Sequence, residues 1–582
     1  MLLCSSSVLV SGSANLSMRT LHIIILLTAT LAVHAQDWQW SKHIGGPGRD
    51  AASVAGVDGE DNLYLIGGYA RPMSPWTFQD CYFDEDTIPG SNDAFIAKYD
   101  GSGVGLWLRL LTSPGFAGIG PLILDTANGV FYTLGTFHGS CTLDTITVTA
   151  PGGAGVLLAK WDLDGNCIWA RTIASSWLVD GTWGVSGHGL VMDGGGELLV
   201  SLRTSPFGMS QVEGEDLPPG TFLGKYDNDG QALWWKPFTL FGGFQKEVFL
   251  YDLRHRGDRI YGYGRAMISQ AGDTTTVDTI QIVGRQGQGF VLVGLDPATG
   301  VAEWFRLEGF PNGAGGFNRM AIDSLGGIVV VGSYGGTDGT AVFGEDTLSS
   351  NTSYSKGFIA KYDNIGMLQF VREFHGSNTF FFDGVDLAAD GHMALTGQLR
   401  GEITLGGTTY TANAFSDLFV AVHDPDGEPL GFMHATGGTG RSIRFLGSDL
   451  VLTGQFPSGT TTPTGSITIG GETYTSHGYA DIVLARTSLP TSIAPKSMGD
   501  DRLLIYANPN QGSFRLVVPE AVRHARDLVL RVYDGTGRLL QQQKLDMGEE
   551  RPKVDLFGVS PGFYMVTLGN GQRTYSGMVV VE

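Results

Sequence analysis

A single hairpin pattern recurs along the chain and constrains every fold it can adopt. At residues 357–370 the sequence reads GFIAKYDNIGMLQF: an apolar alternating run, a tight turn, then a second run ending on an aromatic. Relatives begin at Asp93, Gly155, Gly220, Gly289, Asp417 and Asp481, spaced 60 to 69 residues apart. Alternation with period two is the mark of a strand, and Asp and Gly accept the backbone angles of a short turn, so each copy reads as an antiparallel hairpin. Four copies carry Lys, an aromatic and Asp in succession, as in Lys98-Tyr99-Asp100, Lys160-Trp161-Asp162, Lys225-Tyr226-Asp227 and Lys361-Tyr362-Asp363.

Upstream of each hairpin lies a further pair of strand-like runs, so one repeat supplies about four strands, the content of one propeller blade. The ends of the array are incomplete in complementary ways. Trp38–Gly45 matches the last strand of a repeat but has no partner before it, whereas Asp481–Arg486 opens the seventh hairpin and lacks that last strand. Pairing the two removes both exposed edges. The expected fold is therefore all-β: a seven-bladed β-propeller over residues 36–487, closed by its N- and C-terminal strands. A closed ring leaves no edge for a second copy, and a monomer is expected.

With 582 residues the chain exceeds one ordinary core, and the repeats decide for one large array. Glycine makes up 87 residues, clustered at the ends of short apolar runs, which is repeated turn chemistry. The formal net charge is −21, which disfavours a nucleic-acid partner and otherwise serves solubility. Cysteine is scarce. Cys141 and Cys167 fall within one repeat and are the expected disulfide in an oxidising compartment, leaving Cys81 free, and their spacing fits no zinc motif.

At the N-terminus, Met18-Arg19-Thr20, an apolar run to Val33 and then His34-Ala35 have the three parts of a secretory signal. Cleavage is expected between Ala35 and Gln36, with Met18 as the natural start of a signal otherwise spanning 1–35. The run is too short for a membrane span, and none is expected in the mature form. Variable segments between strands, such as 71–86, 205–217 and 270–282, read as rim loops. Several repeats carry Asp-Thr-Ile or a near match, at Asp86, Asp144, Asp278 and Asp346. These resemble the acceptor of bacterial protein O-glycosylation, but their recurrence in register is explained as well by a shared strand entry.

The pattern stops after Arg486, and 488–500 is a Pro-punctuated linker. Residues 501–582 then carry net +1 against −23 for 36–487, a step that marks a domain boundary. Here YANPNQGSF at 506–514, LRVYDGTGR at 530–538, Val554-Asp555-Leu556, Pro561–Tyr564 and the terminal GMVVVE resemble, in order and spacing, the type A C-terminal sorting domain of the type IX secretion system. The motif falls on Asn508, Pro509, Gly512, Tyr533, Asp534, Gly537, Arg538, Gly562 and Tyr564, with Ala507 where the family usually has Pro. The resemblance implies a small Ig-like β-sandwich read by the type IX machinery. It also implies a route through a Sec-dependent signal and the periplasm to a secreted or outer-membrane surface-attached protein. The repeats in turn resemble the bacterial β-propeller repeat of secreted proteins.

No catalytic set emerges. The Asp-x-Asp-Gly turns lack the further carboxylates a calcium loop needs. One copy, at Asp296–Trp304, matches the tryptophan-docking repeat of quinoprotein propellers, so no cofactor is expected. An arginine cluster of the kind a sialidase needs does not stand out among Arg109, Arg171, Arg203 and Arg265. Trp76, Trp177, Trp183, Phe380, Phe381 and Phe382 are either sugar-stacking loop aromatics or interface core. The leading expectation is a binding or adhesion module for a glycan or extracellular protein; the alternatives are a carbohydrate-active hydrolase or lyase with rim carboxylates, or a structural surface protein.

Overall fold

A computed structural model describes residues 38–489 and 503–581, apart from connecting stretches of which the longest are 72–79, 178–183, 241–245, 269–273, 458–464, 507–511, 523–527 and 546–551. Ala35, Gln36, Asn508, Pro509 and Gly537 lie outside the described residues. No α-helix occurs among the described residues, and the strands divide between two compact units whose boundary falls at residues 493/494, within the linker expected at 488–500.

In the larger unit one motif recurs: four antiparallel strands, each paired with the next in sequence. Arg49–Val57, Leu63–Arg71, Asp93–Tyr99 and Gly105–Thr112 form the first such group. Ala117–Asp125, Val130–Leu143, Ile146–Asp162 and Cys167–Trp177 form the second. Groups with the same order open at Ser186–Met192, Lys246–Arg256, Ala314–Ile322 and Phe380–Leu387. The last is completed across the chain: Thr439–Leu446, Asp449–Phe456 and Asp481–Ser488 pair in sequence, and the fourth strand is Trp38–Ile44. Its register runs from Trp38 opposite Thr487 to Ile44 opposite Ile482, so the two incomplete ends do meet.

Between the second and third strands of a group sits a two-stranded hairpin where the sequence pattern predicts only loop. Cys81–Phe83 with Asp86–Ile88, Thr274–Val277 with Ile280–Val283 and Glu402–Leu405 with Thr408–Thr411 are examples. The Asp-Thr-Ile matches lie at its turn or at the entry to its second strand, and Asp144 and Asp278 hold the left-handed conformation there. Their recurrence in register is thereby explained by the shared hairpin.

The repeated motif does more than turn the chain. The Asp closes its own turn: Asp162 Oδ1 accepts the backbone N–H of Asp164 at 3.0 Å and of Asn166 at 2.8 Å, and Asp227 and Asp363 do the same. The Lys reaches the turn of the next group, with Lys225 Nζ on Pro297 O at 2.9 Å and Lys361 Nζ on Pro425 O at 3.0 Å. In six of the seven groups the aromatic of the fourth strand lies against the turn glycine of the next group: Trp40 on Gly103, Trp107 on Gly165, Trp169 on Gly230, Trp234 on Gly300, Trp304 on Gly366 and Phe370 on Gly427. A Cβ at Gly165 would stand 3.0 Å from the Trp107 ring, so the turn needs glycine for the close approach as well as for its positive φ. Tryptophan docking, which the sequence suggested for one copy, thus occurs between many.

Cys141 and Cys167 are both free thiols, as is Cys81, so the expected disulfide is not formed. Cys141 pairs opposite Val148 near one end of a long strand, while Cys167 pairs opposite Trp161 at the other end. The ten residues from Phe131 to Cys141 on the neighbouring strand put about 30 Å between them, far beyond the roughly 7 Å limit for a bridge.

The smaller unit has a three-stranded sheet, Leu504–Tyr506, Ser513–Val517 and Lys553–Asp555, and a four-stranded sheet ordered Leu539–Lys544, Val529–Tyr533, Gly562–Gly569, Thr574–Val581. Phe514, Leu516, Leu530, Val532, Val566 and Leu568 form its core. Gly512 is at φ +87°, its carbonyl accepts the Leu556 N–H at 2.7 Å, and a Cβ would come 2.8 Å from Leu556 O. Gly512→Ala is therefore expected to destabilise the small unit by about 1–3 kcal/mol. A fall in its urea midpoint checks this; an unchanged midpoint would show that the turn tolerates the side chain.

Candidate ligand-binding cavity

A cavity of about 770 Å³ draws its walls from the first strand of every four-stranded group described. Its volume falls in the range of small-molecule sites. Its chemistry opposes that of the chain. Five arginines line it, Arg49, Arg254, Arg319, Arg441 and Arg444, against one carboxylate, Asp252, in a protein with 58 acidic and 37 basic residues. A second hollow of about 430 Å³ shares Tyr251, Tyr263, Arg319 and Arg441 with it and adds Asn318 and Asp383.

Two of the arginines are held by carboxylates. Arg254 pairs with Asp252 at 2.9 Å, and that carboxylate holds the guanidinium above its usual pKa. Arg441 pairs with Asp383 at 3.1 Å and donates to Gln455 Oε1 at 2.6 Å. Two more are held by backbone carbonyls. Arg319 donates to Asn318 O at 2.9 Å and Arg444 to Ile443 O at 3.0 Å, and neither makes an ion pair with a described carboxylate. Burial lowers the Arg444 pKa, with Arg254 and Arg319 adding to the effect and Asp386 and Asp252 opposing it. Guanidinium stays protonated in proteins, so Arg444 keeps its charge despite burial.

Other polar and aromatic groups complete the wall beside Arg49. His188 is pushed down to about 4 by burial and by Arg203, so it carries no charge at neutral pH. Tyr263 is pushed up to about 12, chiefly by burial, and donates from its hydroxyl to Asn318 O at 3.0 Å. Burial also raises Asp383, against Arg441 and Arg319. Tyr251 packs edge-on between His188 and Tyr263, lies parallel to the Phe249 ring at 6.2 Å and is 38% exposed.

None of these residues belongs to a recognisable motif in the sequence. The arginines it weighed are not brought together. Arg109 and Arg171 donate to the turn carbonyl of the next group, and Arg203 lies over the Phe249 ring. The signal available was position: Arg254, Arg319, Arg441 and Arg444 all lie in the first strand of a group. Phe380 and Phe382 are core, Trp177 is 58% exposed, and Trp76 and Trp183 lie outside the described residues.

In the smaller unit the described motif residues have structural work. Asp534 and Arg538 close their turn through Arg538 N on Asp534 Oδ1 at 3.0 Å, and Arg538 Nε reaches Oδ2 at 3.1 Å. Tyr564 is buried and its hydroxyl donates to Ser560 O at 2.5 Å. Tyr533 pairs with Leu539 and Met565, and Gly562 pairs with Val581, where a Cβ would meet open space.

No curated protein matches the chain. Among solved structures it is similar to a protein of unknown function from Dyadobacter fermentans DSM 18053, at 10% identity and TM-score 0.28, covering 64% of this chain and 94% of that one. It is also similar to the extracellular domain of a one-component system from B. thetaiotaomicron, at 9% identity and TM-score 0.17, covering 94% and 98%. A sialidase from Trypanosoma rangeli in complex with sialic acid gives 8% identity and TM-score 0.27, covering 92% and 88%. No helix among the described residues is long and apolar enough to cross a membrane. Residues 504–582 match the family described as the secretion system C-terminal sorting domain, and such a tail implies interaction with the type IX machinery and export to the cell surface or beyond.

Proposed function

We propose that residues 36–487 form a closed seven-bladed propeller that binds an anionic group of an extracellular polymer in its axial cavity, and that residues 501–582 are its export signal. The observation that carries this reading is the five-to-one excess of arginine over carboxylate lining the cavity of an acidic protein. The origin of that lining, one first strand from each group, supports the ring. Planar guanidinium groups match carboxylate and sulfate oxygens two at a time, and the exposed part of the Tyr251 ring offers an apolar contact for a sugar ring. A uronic-acid or sulfated glycan satisfies both.

The test is calorimetric binding of acidic and neutral oligosaccharides of equal length to the full chain. Arg319→Gln combined with Arg444→Gln is expected to weaken acidic ligands about 100-fold, at roughly 1.5–3 kcal/mol for each charge-assisted hydrogen bond removed, and to leave neutral ones unchanged. Equal binding of both ligand types by the wild type overturns the reading. Turnover of the glycan that Asp383→Asn abolishes would replace it with a hydrolase. Export is tested separately: a chain ending at residue 500 is expected to stay in the periplasm, and its normal appearance at the surface would remove the role given to the tail.

A further inference from the structure

The seam that closes the larger unit holds a second constellation, remote in chemistry from the arginine cavity. His43 comes from the N-terminal strand; His477 and Asp481 come from the last group. The Asp481 side chain is fully buried, and its Oδ2 lies 2.6 Å from His43 Nε2 and 3.1 Å from His477 Nδ1. The two imidazoles stack at 4.6 Å with 10° between their planes, and the ligand atoms of all three residues lie within 4.8 Å of one another.

The preceding group contains an internal control. Asp417 occupies the position of Asp481 and pairs with His434, the counterpart of His43, at 2.9 Å. There both carboxylate oxygens are satisfied by backbone. Oδ1 accepts Gly437 N at 2.8 Å and Ala414 N at 3.2 Å, and Oδ2 accepts Asn413 N at 2.8 Å. At the seam the arrangement differs twice. A second imidazole, His477, replaces Asn413, and Gly46 N turns to Asp50 Oδ2 at 2.7 Å, which leaves Asp481 Oδ1 buried with no hydrogen-bond partner. An orphaned buried carboxylate oxygen is a standing cost in the apo chain.

The negative charge is also doubled. Asp50 is fully buried, and after burial itself the charges of Asp50 and Asp481 are what push the neighbouring Cys81 thiol up. No Lys or Arg among the described residues pairs with Asp481. Two imidazoles and a carboxylate with a spare oxygen form the donor set of a borderline divalent cation, and buried carboxylates gain most from such a charge. Tetrahedral bonds of about 2.0–2.1 Å set ligand atoms about 3.3 Å apart, so the 2.6 Å His43–Asp481 contact has to open while the widest separation, within 4.8 Å, closes, and His477, at 44% side-chain exposure, is the ligand with room to adjust.

We propose that His43, His477 and Asp481 bind one zinc-class divalent cation, with water completing the shell, and that the ion clasps the N-terminal strand to the last group. Each imidazole presents to the ion the ring nitrogen that now faces Asp481 and carries its proton on the other one. The clasp exists only when the ends have met, so the metal reports on closure and reinforces it.

The experiment uses the full chain without a histidine tag, stripped with chelator and titrated with Zn²⁺ by calorimetry, with thermal melting at each ratio. One ion per chain and a melting temperature that climbs with Zn²⁺ are expected. His477→Gln should melt like the wild type without metal, yet lose at least 10-fold in affinity and the zinc-dependent rise. His434→Gln, at the control pair, should keep both. Absence of stoichiometric binding, undiminished affinity in His477→Gln, or an equal loss in His434→Gln would each overturn the site and leave a hydrogen-bonded cluster in its place.

Discussion

Removal of Trp38–Ile44 from the chain is expected to abolish cooperative melting of the larger unit and to drive the protein into soluble aggregates. The strand pairs from Ile482 to Thr487 along Asp481–Ser488, a strand buried at six of its eight positions. It also brings Ile44 into a core with Ile482 and Leu484, accepts the Tyr474 hydroxyl on Ser41 O at 2.9 Å, and sends Trp40 Nε1 to Gly101 O at 3.2 Å. At about 1 kcal/mol net per hydrogen bond and about 2 kcal/mol for each large apolar side chain, the loss is on the order of 5–10 kcal/mol. That rivals the entire stability of a typical domain. It also leaves a long, flat, apolar edge, the feature most prone to pairing with another molecule. Melting followed by circular dichroism and size-exclusion chromatography checks the outcome. A synthetic 38–45 peptide added in trans should restore the monomer by completing the sheet. A deletion that melts cooperatively within a few degrees of the wild type would show that the seam is dispensable.

Trp161→Ala is expected to cost about 3–5 kcal/mol, the largest effect of any single substitution considered. The side chain is fully buried, donates from Nε1 to Thr133 Oγ1 at 3.0 Å, and stacks on Phe131 at 5.9 Å with 2° between planes. Phe131 stacks in turn on Trp107, which donates to Leu163 O at 3.1 Å in the next group. Truncation therefore opens a cavity, strands the Thr133 hydroxyl and loosens a junction between groups. Trp177→Ala, at a residue 58% exposed, should stay within about 0.5 kcal/mol. Urea midpoints of the two variants provide the comparison. Equal midpoints would mean that the stack through Phe131 adds nothing to stability.

What the sequence disclosed follows the range of the forces involved. Period-two alternation and Asp/Gly turns are local, so the copies at Asp93 through Asp481 were legible as hairpins. The pairing of Trp38 with the last group was legible because the two ends were incomplete in complementary ways. The inserted hairpins were not, since strands such as Ser210–Val212 and Glu215–Leu217 are three residues long and show too little alternation to register. The Cys141–Cys167 pairing failed because nearness along the chain says nothing about which end of a long strand a residue occupies. The arginine cavity was hidden for a related reason. Arg254 and Arg444 lie 190 positions apart and meet only once the groups are arranged about a common space. The C-terminal motif was legible as a family pattern, and the matched segment begins three residues inside the expected boundary.

The aromatic that a group lays on its neighbour's turn has a bearing on how such chains drift. The junction involves one ring, one glycine and a few carbonyls, all within the repeating frame, and none of the segments that join the second strand to the third. Those segments are free to lengthen, shorten or change character without disturbing the gauge at which neighbours mesh. A lineage of these proteins should therefore show joining segments that diverge quickly while the distance from one four-stranded group to the next stays nearly constant, with new specificities arising in those segments.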